Sequence, residues 1–98
     1  MEKRAGVDRE AVAEDWRSRG FSCELWRDPP GQVWKDYVHP TDELLMILEG
    51  VVELEMQGRR LRPKAGEEIL IPAKTVHTVR NAGKSESKWL YGYKERAL

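Results

Sequence analysis

Residues 31–50 read GQVWKDYVHPTDELLMILEG, and residues 66–81 read GEEILIPAKTVHTVRN. The first stretch runs from Gly31 through five residues to Tyr37-Val38-His39, then three to Glu43 and six to Gly50. The second runs from Gly66 through five residues to Pro72-Ala73-Lys74, then two to His77 and three to Asn81. Both histidines of the protein lie in these stretches, each within a run of apolar strand-formers. Two imidazoles and one carboxylate suit a divalent metal with coordination positions left open for a ligand. Taken singly, each of these residues also has a plain reading. A lone histidine in a strand is usually a satisfied polar group, and acidic residues commonly begin strands at exposed turns.

The segments around these stretches have period two. Strands are expected over residues 21–27, 32–39, 43–49, 51–57, 59–62, 67–71, 76–81 and 88–94. Asp28-Pro29-Pro30-Gly31, Gly50, Gln57-Gly58 and Ala82-Gly83-Lys84-Ser85 supply the turns between them. Seven or eight short strands at close spacing predict an antiparallel sandwich or barrel. Ahead of them, residues 7–20 read as one short helix. Asp8 is its N-cap, Val7 and Val12 form a hydrophobic staple, and Gly20 is its stop. Its apolar face is thin, with Val12, Ala13 and Trp16.

Alternation assigns side chains to faces, because residues two apart in a strand point the same way. Tyr37 and His39 share a face, as do Glu43, Leu45 and Ile47, and His77, Val79 and Asn81. Leu44, Met46 and Leu48 make the opposite face of the third strand equally apolar. A sheet that is apolar on both sides must be covered on both. One face therefore lines the barrel, and the helix or a second subunit covers the other.

Composition narrows the function classes. The chain has 98 residues, enough for one core, and 17 basic residues balance 17 acidic ones. A chain of zero net charge argues against electrostatic binding to nucleic acid, which needs a basic face or stripe. The longest apolar run, Leu44 to Leu48, is far short of a membrane span. Met1-Glu2-Lys3-Arg4 leads into a charged helix, which reads as no secretory signal. The single Cys23 cannot form an internal disulfide and is expected to be a buried small residue. These features predict a soluble, cytoplasmic protein with no nucleic-acid or membrane partner.

The two stretches resemble the paired signature motifs of the cupin superfamily, in the manner of a small single-domain cupin of the cupin 2 conserved-barrel type. The family's first motif has glycine, five residues, His-x-His, three or four residues, glutamate, six residues and glycine. Here Gly31 to Gly50 keep every spacing, with Tyr37 in place of the first histidine. Gly66, Pro72, His77 and Asn81 fall on the second motif, with Lys74 replacing an internal glycine. The resemblance implies an all-β antiparallel jelly-roll barrel over residues 21–98, preceded by a helical extension over residues 1–20. It also implies His39, Glu43 and His77 as ligands of one divalent transition metal, be it iron, manganese, nickel, copper or zinc.

Tyr37 then has three readings: a bulky phenol that leaves coordination positions open, a catalytic hydrogen-bond or proton donor to a bound ligand, or the mark of a site that has lost its metal. Asn81 is expected to make structural hydrogen bonds, and Lys74 to be solvated. Trp26, Trp34, Trp89, Tyr91 and Tyr93 read as core or interface, with one or two of them lining a pocket. Cupins include dioxygenases, isomerases, epimerases, decarboxylases and lyases, so membership does not choose a reaction. The leading expectation is a metal-dependent enzyme, oxygenase- or isomerase-like, for a small organic molecule. Its alternatives are a non-catalytic module that binds or senses a small ligand, and a metal-free enzyme using histidine and tyrosine as base and acid. The doubly apolar third strand and the four tryptophans further predict a homodimer.

Overall fold

The computed structural model describes residues 6–95, and among these the chain forms one helix and eight strands. The helix α1 spans Arg9–Ser18. The strands are β1 (Glu24–Asp28), β2 (Val33–Tyr37), β3 (Glu43–Glu49), β4 (Val52–Met56), β5 (Arg59–Leu61), β6 (Glu68–Ile71), β7 (His77–Asn81) and β8 (Ser87–Tyr93). All the elements expected from the sequence are present, with ends shifted by a few residues. The strands pair antiparallel in two sheets of four, ordered β1-β8-β3-β6 and β2-β7-β4-β5. Most successive strands fall in opposite sheets, which is the jelly-roll arrangement.

Two turns show why particular residues stand where they do. Gln57 and Gly58 both have positive φ (53° and 74°), as a two-residue hairpin of the right-handed twist requires between β4 and β5. Gly50, with φ of 93°, turns β3 toward β4, and a side chain there would press within 2.9 Å of Ser87 Cα and Cβ.

The interior between the sheets is filled by Leu45, Ile47, Val52, Leu54, Ile71, Val79 and Trp89. A second cluster lies outside the first sheet and joins Leu44 and Met46 of β3 to Trp16, Phe21 and Leu90. The strand is thus buried on both faces, and α1 covers the outer one. Asp8 caps that helix as expected, its Oδ1 accepting a bond from the Ala11 N–H at 3.1 Å. The helix is fastened at its other end through Glu68 of β6. Trp16 Nε1 donates to Glu68 Oε1 at 3.0 Å, and Arg19 forks onto both carboxylate oxygens at 3.0 and 2.8 Å. The hydrogen bonds from Arg19 hold the Glu68 carboxyl below its ordinary range.

The outer face of the second sheet is different in kind. Arg80 reaches Glu53 at 2.8 Å and Glu55 at 3.4 Å, and Arg60 and Arg62 pair with the same two carboxylates. Such a face stays in water. Because α1 covers Leu44 and Met46 within one chain, β3 no longer calls for a second subunit. No helix among the described residues is long and apolar enough to cross a membrane.

Trp16 has no exposed surface and joins α1 to β3, β6 and β8. Trp16→Ala is expected to lower unfolding free energy by about 3–5 kcal/mol, the usual cost of emptying a buried tryptophan site. Urea titration measures it; a loss under about 1 kcal/mol would mean that α1 does not hold the outer face.

Candidate metal centre

One end of the barrel gathers the loops that carry the motif residues. Tyr37 ends β2, and His39 lies just beyond it in the loop to β3, which Glu43 opens. The Lys74 N–H donates to the His39 carbonyl at 2.7 Å, tying the turn before β7 to the end of β2. Lys74 is exposed and adopts φ of 63°, the left-handed conformation for which a glycine is the easier residue. Asp42 joins the same cluster: its carboxylate accepts from the Ala73 N–H at 2.8 Å and its carbonyl from the Lys94 N–H at 2.9 Å.

Within this frame His39, Glu43 and His77 converge, each offering a ligand atom within 4.8 Å of the others. Glu43 Oε1 lies 3.4 Å from His39 Nε2 and 3.5 Å from His77 Nε2. Both Glu43 and His77 are buried, whereas His39 is partly open to the cavity. The Thr75 carbonyl, 2.9 Å from His77 Nδ1, accepts that nitrogen's proton in the neutral ring and so turns the Nε2 lone pair inward. Glu43 Oε1 meets only these two distant nitrogens and has no hydrogen-bond partner among the described residues. A buried carboxylate oxygen left facing two imidazole nitrogens is what a cation between them would satisfy. Burial disfavours a charged His77, but the nearby Glu43 carboxylate, with the Thr75 carbonyl, outweighs it and raises the ring's pKa above its ordinary value.

The donor set opens onto a cavity of about 170 Å³. Its wall is aromatic. Trp26, Trp34, Trp89, Tyr91 and Tyr93 all line it, more than the one or two expected, and Tyr37 stands at its rim with 44% of its surface exposed. Register explains this excess. On β8, Trp89, Tyr91 and Tyr93 pair with Ile47, Leu45 and Glu43 of β3, so all three rings share the inward face. On β2, an irregularity between Trp34 and Tyr37, with Asp36 at φ of 55°, lets residues three apart both point inward. Strict alternation would have sent one of them out.

Asp28 organises the wall. Its buried carboxylate accepts from Trp26 Nε1 at 2.8 Å, from Trp34 Nε1 at 3.1 and 3.0 Å, and from Trp89 Nε1 at 3.3 Å. The sequence showed Asp28 only as a turn residue. Asn81 plays the structural part expected of it, its amide donating to the carbonyls of Asp28, Pro29 and Ser85. Tyr93, read from sequence as one of the core or interface aromatics, puts its hydroxyl 3.4 Å from His39 Nε2. Burial and the nearby Glu43 push its pKa up to about 12. Cys23 is only half-buried and packs at the α1 cluster, away from this cavity.

Comparison with known proteins agrees with the architecture. The chain matches the cupin domain family over residues 24–93 and belongs to it. A curated relative, the polyketide synthase CurC of Streptomyces cyaneus, is 27% identical over 63 residues, covering 63% of this chain and 41% of CurC. The chain therefore spans about two fifths of that relative's length. Among solved structures, oxalate oxidase in complex with glycolate superposes with a TM-score of 0.70 at 23% identity, covering 80% of this chain and 43% of that one. The DMSP lyase DddQ of Ruegeria pomeroyi DSS-3 gives a TM-score of 0.68 at 22% identity, covering 76% of this chain and 38% of the lyase. At these identities the structural likeness concerns the fold.

Asp28→Ala would strand three indole N–H groups, one buried and two partly buried, at about 1 kcal/mol or more each. The expected result is a loss of about 3 kcal/mol or more in denaturant titration, with a red-shifted tryptophan emission. An unchanged midpoint and emission would show that the indoles do not depend on Asp28.

Proposed function

We propose that the chain is a metal-dependent cupin enzyme, of oxygenase or isomerase type, acting on a small organic molecule. The observation that carries this reading is Glu43 Oε1, buried beside two imidazole nitrogens at 3.4 and 3.5 Å and without a hydrogen-bond partner. His39, Glu43 and His77 would hold one divalent transition metal, the donor types suiting iron, manganese, nickel, copper or zinc. Bound there, such an ion supplies Lewis-acid polarisation of a carbonyl or hydroxyl oxygen, or, as iron, a place for substrate and dioxygen together.

The chain's own residues do the rest. Thr75 orients His77, and the Lys74 N–H fixes the backbone at His39. The indoles and phenols keep water from the inner wall and pack against a flat or apolar part of the substrate. Among the lining residues there is no lysine or arginine, so an acidic group on the substrate has no side-chain cation to meet and turns toward the ion. Tyr37 at the rim is the catalytic phenol of this reading, donating a hydrogen bond or proton to the bound molecule. A cavity of about 170 Å³ suits a small molecule inside the barrel, with any larger portion outside the mouth. The named activities of the similar proteins, an oxalate oxidase and a DMSP lyase, support an enzyme without choosing its reaction.

A panel of small hydroxy, keto, thiol and phenolic acids, assayed for product formation and oxygen uptake, tests the reading. Turnover should disappear on chelation, return on adding metal, and fall at least 100-fold in Glu43→Gln. Tight binding with no turnover would make the protein a sensing module. Turnover that survives chelation would transfer the chemistry to histidine and tyrosine alone.

A further inference from the structure

We propose that the Tyr93 phenol is the fourth protein donor of this ion site, taking from β8 the place that Tyr37 leaves empty in the first motif. The inference rests on the metal-site reading above and assigns a residue that neither motif contains.

Register carries the first part. Glu43 and Tyr93 are direct partners across the β3–β8 ladder, so their side chains emerge side by side on the inward face. Distance carries the second. Tyr93 Oη stands 3.4 Å from His39 Nε2, matching the 3.4 and 3.5 Å that separate the two imidazoles from Glu43 Oε1. Ligand atoms around one ion with bonds near ~2.1 Å stand roughly 3.0–3.4 Å apart in ordinary tetrahedral or octahedral geometry. The phenol oxygen therefore sits at a ligand's spacing from a ligand. Among the described residues its only other polar contact is this long one to His39, too weak to be its purpose.

Tyr93 is also held in place. The Ser22 hydroxyl accepts from the Tyr93 N–H at 3.0 Å, and the Ser22 N–H donates to the Tyr93 carbonyl at 3.0 Å. Ser22 passes so close to Gly92 that no side chain fits there, which presses the end of β8 against the rest of the first sheet. Tyr37 has none of this. Its ring centroid is 6.3 Å from that of His39, against 4.8 Å for Tyr93, and it packs edge-on against Trp34 at the exposed rim. When Tyr93 coordinates, the oxygen–metal bond forms, the O–H bond breaks, and the proton leaves to water. No electrons change hands. A bound cation lowers the pKa of the group it binds and drives this step.

The test uses the full-length protein loaded with Fe(III), because a phenolate bound to ferric iron gives a visible charge-transfer band and imidazole or carboxylate does not. The band is expected in the unmodified protein and in Tyr37→Phe, and lost in Tyr93→Phe with iron still bound. Zinc affinity should fall about tenfold or more in Tyr93→Phe. Tyr93→His should restore that affinity without the band, which separates a lost donor from a damaged fold. Stoichiometric iron with no band, or a band lost in Tyr37→Phe and kept in Tyr93→Phe, overturns this assignment alone. Failure to take up iron or zinc at all overturns the metal-site reading and this assignment with it.

Discussion

The carboxylate of Asp28, buried at the end of β1, is the point on which the cavity depends. Three indole N–H groups, from β1, β2 and β8, converge on it. These strands belong to both sheets, so one side chain ties the two layers together where the jelly roll would otherwise be free to splay. A buried anion is tolerable only with several good donors, and here the donors are the aromatic wall itself. Burial of the charge and placement of the rings are thus one requirement. The Asn81 amide closes the arrangement by bonding the carbonyls of Asp28 and Pro29, which fixes the turn that delivers β2 to the site.

The barrel buries a second carboxylate, and the contrast between them is the argument for function. Asp28 is satisfied by three donors at hydrogen-bonding distance. Glu43, just as buried, meets two imidazole nitrogens too far away for good hydrogen bonds, and one of its oxygens has no partner. A fold that satisfies one acid this thoroughly does not leave the other bare by accident of packing. The arrangement makes sense when a cation belongs between Glu43 and the imidazoles: the Lys74 N–H already anchors the His39 backbone, the Thr75 carbonyl orients the His77 ring, and Asp42 ties the neighbouring loop at Ala73. The distribution of side chains fits: charges outside on β4, β5 and β7, and the aromatics, Glu43 and the two histidines inside.

Much of this was legible in the sequence because it is carried by local spacing. The resemblance carried by the motif intervals implied that His39, Glu43 and His77 share one site with Tyr37 in the remaining slot, and alternation gave β3 two apolar faces. The helix cap at Asp8 and the turn at Gly50 follow from single residues and their neighbours. What could not be read depends on register between distant strands. Tyr93 looked like one aromatic among several until the β3–β8 pairing set it opposite Glu43. Trp34 and Tyr37 share the cavity only because the strand is irregular between them. Asp28 looked like a turn residue, since nothing local reveals three tryptophans folding back onto it. The homodimer was argued from the second face of β3 and from four tryptophans. One chain accounts for both, with α1 over the strand, Trp16 beneath the helix, and Trp26, Trp34 and Trp89 in the cavity wall.

The most direct test of the central claim is the metal content of untagged protein purified without chelator, measured by inductively coupled plasma mass spectrometry after gel filtration. The account predicts close to one equivalent of a first-row transition metal per chain, and an empty site in His77→Ala. Protein that is empty as isolated and takes up none of iron, manganese, nickel, copper or zinc when they are added would contradict it.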